Sequence, residues 1–237
     1  KTITNAIKVG KTPNAYLLTG IRGVGKTTTA RLIAKALNCE KNKKKICNSE
    51  SPCDSCKDIT NSIHIDVLEM DAASKTGIDD IRELIENSKY SPTRADYKIF
   101  IIDEVHMLSK QAFNGLLKTL EEPPPRLKFI LATTEVKKIP VTILSRCQRF
   151  DLKRVEIEKI INLLNEISKK EKGKISHDAL RIIAQAAEGS VRDAISLLDR
   201  AISFQDVSEK DQVSGDDVRK MLGLADKSKI IKLINAV

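Results

Sequence analysis

The sequence predicts an α/β protein: a parallel sheet covered by helices on both faces, followed by a small domain of helices alone. Three observations predict it. Five short apolar runs alternate with helical stretches up to Leu152, the pattern of strands joined by crossover helices. A glycine-rich phosphate-loop pattern stands between the first run and the first helix, which is the context that loop requires. Beyond Leu152 every periodic stretch has helical spacing and no strand-like run appears.

In order, AYLLTG (Ala15 to Gly20) is an apolar run ending in glycine and predicts a buried strand. A helix follows from Lys26 to Leu37. HIDVLEMDA (His64 to Ala72) reads as a strand and IDDIRELIENSK (Ile78 to Lys89) as a helix. YKIFIIDE (Tyr97 to Glu104) is a continuous apolar strand ending in two acids. QAFNGLLKTLEE (Gln111 to Glu122) is a helix stopped by Pro123, Pro124 and Pro125. KFILATTE (Lys128 to Glu135) is another buried strand, VTILSRC (Val141 to Cys147) a short helix and QRFDL (Gln148 to Leu152) a final strand. The helices Glu156 to Glu171, His177 to Glu188 and Val191 to Ser203 build the second domain. The expected division is 1–152, with an insert at 39–56, then 153–224. From about Asp226, within 225–237, a third element begins and is cut off. No internal repeat is visible, and Lys41 to Lys45 (KNKKK) is expected to be a solvated loop.

With 31% charged and 41% apolar residues the chain has the balance of a folded globular protein. No apolar run approaches the ~18 residues of a membrane span, and no cleavable leader is visible. The net charge of +9 favours an anionic partner. Only 3% of residues are aromatic and there is no Trp, so contact to backbone phosphate is favoured over base stacking.

Gly20-Ile21-Arg22-Gly23-Val24-Gly25-Lys26-Thr27 fits G-x-x-x-x-G-K-[ST] in full. Glycines let the loop wrap an anion with backbone N–H groups, and the next helix aims its N-terminus at the same anion. Gly20, Gly23, Val24, Gly25, Lys26, Thr27 and Thr28 are the expected nucleotide contacts. Lys26 would reach the β and γ phosphates and Thr27 would hold Mg²⁺. Hydrolysis also needs a carboxylate for the metal and a group to orient water. Asp103 and Glu104 end a buried strand, and strand ends of a parallel sheet face the ligand crevice. Asp103 would bind Mg²⁺, and Glu104 would polarise the attacking water. His106 is expected to be structural.

CEKNKKKICNSESPCDSC (Cys39 to Cys56) gathers four of the five cysteines in the pattern C-x7-C-x5-C-x2-C. Four thiolates suit tetrahedral Zn²⁺ and leave no open position for substrate, so Cys39, Cys47, Cys53 and Cys56 predict a structural zinc site. An empty site and a redox role are the alternatives. The metal would fix a loop too poor in apolar residues to have a core. Cys147 is expected to pack as a small apolar residue.

The phosphate loop, the cysteine insert, DEVHMLS, LLKTLEEPP, LATTE, PVTILSRC and AAEGSVRDAISLLDRAI follow one another in an order that resembles the gamma/tau subunits of bacterial DNA polymerase III. The resemblance implies a P-loop AAA+ domain with a zinc-knuckle insert, a small helical lid and a truncated oligomerisation domain. It implies a cytoplasmic ATPase that joins related clamp-loader subunits in a heteropentamer. ATP binding would open the sliding clamp around primed DNA, and hydrolysis would release it closed for DNA polymerase III. Thr134 takes a first sensor role, Arg146 the role of a finger acting in trans on a neighbour's nucleotide, and Arg192 a second sensor role. Lys75 matches a position that meets template phosphate, although a second basic position nearby is Gly77 here. By the same resemblance, Lys1 is expected to fall within the helix before the first strand, after a segment that in the family helps hold adenine. This stretch on its own is compatible with a monomer. Three rivals are weighed. A DExH helicase would need a second RecA-like half where the chain turns helical. A nucleotide-binding scaffold with little hydrolysis would tolerate a broken loop, but this one is intact. A branch-migration motor would not carry the cysteine insert.

Overall fold

The computed structural model describes residues 12–41, 47, 51–75, 77–208 and 212–224. Most of the lysine-rich run, the expected helix before the first strand and the element expected from Asp226 lie outside the described residues. The described residues fall into two compact units. One takes those up to Gly20 together with Gly25–Leu152; the other takes Ile21–Val24 and those from Lys153 on.

In the first unit β1 (Ala15–Thr19), β2 (Val67–Asp71), β3 (Lys98–Asp103), β4 (Leu127–Thr133) and β5 (Gln148–Asp151) form one sheet. Its order is β2-β3-β4-β1-β5 and every pairing is parallel. The helices between them are α1 (Lys26–Asn38), α2 (Asp54–Thr60), α3 (Ile78–Ser88), α4 (Lys110–Glu121) and α5 (Val141–Leu144). Alternate strand residues point to opposite faces. Leu17, Phe100, Ile102, Phe129 and Leu131 pack with Ile81, Leu84, Phe113 and Leu116 of α3 and α4. Tyr16, Leu18, Ile99, Ile101, Ile130 and Ala132 pack with Ala30, Ile33, Ala34 and Leu37 of α1. Both faces of β1, β3 and β4 are therefore buried, which is why these strands read as unbroken apolar runs.

Two expectations need correction. The strand expected from His64 begins only at Val67. Period-two alternation is present before it, but with its polarity reversed: Ile63 and Ile65 are 70% and 63% exposed while His64 and Asp66 are buried. Asp66 accepts the N–H groups of Thr93 (2.8 Å), Arg94 (2.7 Å) and Ala95 (2.9 Å). Those bonds outweigh the burial that opposes ionisation and hold its carboxyl below the usual range. His64 Nδ1 accepts the Asp66 N–H (3.0 Å), so its Nε2 carries the proton toward Ser55 Oγ (3.1 Å), which donates to the Asn38 carbonyl (3.0 Å). The second correction is α2, a helix that begins in the insert and runs past it to Thr60, with no counterpart in the predicted elements.

The second unit contains α6 (Ile157–Lys170), α7 (His177–Ala186), α8 (Val191–Ser208) and α9 (Gly215–Met221). Ile160, Ile161 and Leu164 of α6 pack with Leu180 and Ile183 of α7, Ala194 and Leu198 of α8, and Val218 of α9. α9 was not among the predicted elements; it starts at a capping box in which Ser214 and Asp217 satisfy each other's backbone N–H. Among the described residues after Leu152 the β-structure is one isolated bridge, Ile175 to Val213. A second RecA-like half is thus not found there.

Candidate functional site

The strand register brings the candidate residues together. Thr19 of β1 pairs with Thr133 of β4, and Leu131 pairs with Ile102 of β3. The residues that follow these strands, Gly20, Thr134 and Glu104, therefore leave one edge of the sheet side by side. Gly25 caps α1 at φ 96°, a left-handed conformation open to glycine at little cost. The turn feeds straight into α1, whose first N–H groups make an anion-binding end. Lys26 is buried, its Nζ 3.2 Å from the Gly20 carbonyl and 3.8 Å from Glu104 Oε1. The Thr27 hydroxyl donates to Asp103 Oδ2, and Asp103 Oδ1 accepts the Glu104 N–H (2.9 Å).

Glu104 itself stands at φ 45°, ψ 44°, a left-handed conformation that costs a non-glycine residue about 1–2 kcal/mol. Neighbours hold it there. Its Oε2 accepts the N–H (3.2 Å) and the hydroxyl (3.0 Å) of Thr134, and His106 Nδ1 lies 3.3 Å away. Lys26, Thr27, Asp103, Glu104 and Thr134 thus form one connected cluster. Val24 is half-buried and Thr28 exposed.

The remaining candidates stand elsewhere. Arg146 follows α5; it pairs with Glu121 and donates to the Thr142 carbonyl (2.6 Å). Arg192 is the second residue of α8; its side chain is exposed, and its N–H donates to the Gly23 carbonyl (3.3 Å) within the second unit. Lys75 is exposed just beyond β2, and its N–H donates to the Asp71 carbonyl (3.1 Å). Cys147 packs against the α3–α4 side of the core, where burial pushes its thiol up to about 11.

The insert brings Cys39, Cys47, Cys53 and Cys56 together with all four sulfurs within 4.8 Å of one another. A tetrahedral zinc with Zn–S bonds of about 2.3 Å needs sulfurs about 3.8 Å apart, so the donor set fits that ion. Cys39 caps the C-terminal end of α1 and Cys53 the N-terminal end of α2. Burial opposes ionisation of Cys53, yet the N–H groups of Cys56 and Glu40 bring its thiol down to about 6. Burial and the Cys53 and Cys39 thiols push Cys56 up. The N–H groups of Cys56 and Glu40 favour the thiolate form of Cys53, which caps the N-terminal end of α2.

Two features of this region escaped the sequence reading. His106, expected to be structural, lies with Nδ1 3.3 Å from the Glu104 carboxylate, a neighbour the sequence reading did not name. The helix α2 carries two of the four sulfurs at its start, signalled only by Cys53-Asp54 as a helix opening.

The sequence profile described as DNA polymerase III, delta subunit, matches residues 1–156; that described as DNA polymerase III clamp loader subunit, ATPase lid domain, matches residues 159–206. DNA polymerase III subunit tau of Escherichia coli (strain K12) is 47% identical over 240 residues, taking in 99% of this chain and 36% of that protein. DNA polymerase III subunit gamma/tau of Mycoplasma genitalium is 50% identical over 238 residues, taking in 100% of this chain and 39% of that protein. The chain spans a little over a third of the length of these relatives. The Thermotoga maritima RuvB Holliday junction branch migration motor superposes with a TM-score of 0.67 at 20% identity, over 94% of this chain and 67% of that one. Identity that low bears on fold alone, and the fold is that of an AAA+ domain with a helical lid. The sequence relatives carry more, and with them the chain belongs to the gamma/tau family of DNA polymerase III clamp-loader subunits.

Proposed function

We propose that this chain is the ATP-binding and hydrolysing core of a clamp-loader motor subunit, which loads the sliding clamp on primed DNA for DNA polymerase III. The observation that carries it is the cluster at the strand ends, in which Thr27 meets Asp103 while Lys26 and Thr134 meet Glu104. The phosphate loop, Gly20, Gly23, Val24, Gly25, Lys26, Thr27 and Thr28, binds the nucleotide. Lys26 neutralises phosphate charge. Thr27 and Asp103 would hold Mg²⁺, which would supply positive charge against the charge that develops on the phosphates. Glu104 polarises the water, Thr134 senses the terminal phosphate and Arg192 acts as second sensor. Arg146 serves the neighbouring subunit's nucleotide, and Lys75 meets DNA phosphate. The AAA+ domain is 1–152 and the lid 153–224. Partners are related subunits in a heteropentamer, the sliding clamp and primed DNA. No described helix is long and apolar enough to cross a membrane, and the proposed setting is the cytoplasm.

The test is Glu104→Gln in the full-length chain assembled with its partner subunits. ATP binding should persist, while hydrolysis on primed DNA falls about 100-fold. Hydrolysis at the wild-type rate would sink the assignment of Glu104.

The cysteine cluster is proposed to hold a structural Zn²⁺. One zinc per chain is expected by metal analysis, and Cys56→Ser should lose it. Amide exchange within 51–56 should then rise, because the buried apolar cluster of the insert consists of the sulfurs, while Ile59, packed on the main core, should stay protected. Unchanged protection without metal would mean that the insert folds unaided.

A further inference from the structure

His106 is a half-buried titratable residue for which the proposed mechanism has no use. Its side chain is 6% exposed. Nδ1 lies 3.0 Å from Thr133 Oγ1 and 3.3 Å from Glu104 Oε2. Nε2 lies 3.4 Å from Glu135 Oε1. Thr133 Oγ1 is in turn fixed by accepting the Glu135 N–H (3.0 Å), and Glu135 is fixed by Lys138 (2.9 Å). A neutral imidazole carries one N–H; placed on Nδ1, it lies between Thr133 Oγ1 and Glu104 Oε2. We propose that His106 is a positioning residue for Glu104, holding Oε2 so that Oε1 is presented to water.

The inference rests on the reading of Glu104 as the group that polarises water. Glu104 Oε2 has two close neighbours in side-chain reach, Thr134 and His106. If Thr134 turns to the terminal phosphate, its hydroxyl leaves Glu104. His106 then remains on Oε2, carried two residues along the same turn, Val105–Met107. A carboxylate on a left-handed backbone has no other lateral support from its own turn.

The experiment measures steady-state ATP hydrolysis and nucleotide affinity in the full-length chain assembled with its partner subunits, on primed DNA with clamp. His106→Phe keeps the ring and removes both nitrogens. His106→Asn keeps an N–H near the place of Nδ1. In His106→Phe kcat should fall about 10–100-fold, the scale of a misplaced catalytic group. KM and nucleotide affinity should stay within about twofold. His106→Asn should recover most of the loss. Should His106→Phe fail to assemble, His106→Gln replaces it; Gln sets its N–H nearer the place of Nε2 and should be slow where Asn is not. Wild-type kcat in the His106 variants, with Glu104→Gln inactive, overturns the inference alone. Equal damage by Asn and by Phe or Gln, or kcat and KM moving together, also overturns it, leaving a packing role. Wild-type hydrolysis by Glu104→Gln overturns the reading of the site, and the inference with it.

Discussion

Lys26→Ala in the full-length assembly should reduce ATP hydrolysis to background, at least about 10²–10³-fold below wild type, with nucleotide binding lost alongside. The expectation follows from where the ammonium is held. Nζ is buried between the Gly20 carbonyl and Glu104 Oε1, so it is aimed into the loop before any anion arrives. Alanine removes that charge and also leaves Glu104 without its cation. Equilibrium binding of a fluorescent ATP analogue, measured beside hydrolysis, separates the two losses. Normal binding with lost hydrolysis would make Lys26 a group that acts on the transition state alone. Normal values of both would remove the phosphate loop from the proposed mechanism.

The second large effect belongs to Arg146. Arg146→Ala should leave ATP binding to the substituted chain unchanged and should slow hydrolysis by its neighbour about 10³–10⁵-fold, the range of a supplied arginine. Its described partners are Glu121, Thr142 and Ser145 of its own chain, all near the surface. An exposed ion pair of this kind is worth about 1 kcal/mol or less, so little opposes its release to another subunit. Mixed assemblies, in which only one subunit carries the substitution, give the clean reading. A loss confined to the substituted chain's own nucleotide would contradict action in trans.

The central strands and the loop were legible because their chemistry is local. Ile99 to Ile102 are buried on both faces, and an unbroken apolar run can do little else. Gly25 and Lys26 carry a pattern whose spacing is its mechanism. The start of β2 was misread because alternation alone does not say which face is inside. Asp66 went in, since three backbone N–H groups of 93–95 wait for it there. The helix α2 has few apolar residues besides Ile59 and Cys56, so nothing periodic announced it; Ile59 and Ser55 tie it to the main core across the chain. Among the candidate site residues, Asp103 and Glu104 could be found as strand-end acids. His106 could not be assigned to Glu104, because Thr133 and Glu135 reach it from about thirty residues away in sequence.

The helix α1 has Gly25 of the phosphate loop as one cap and the thiol Cys39 as the other. Its thirteen residues make a rod about 20 Å long. A rod of that length does not shorten appreciably, and Ala30, Ile33, Ala34 and Leu37 bed it on the sheet along the way. A tilt of roughly 6° would carry its loop end about 2 Å sideways, comparable to a hydrogen-bond length. The sheet contact resists that tilt, so the phosphate loop and the opening cysteine of the insert are opposite ends of one supported strut.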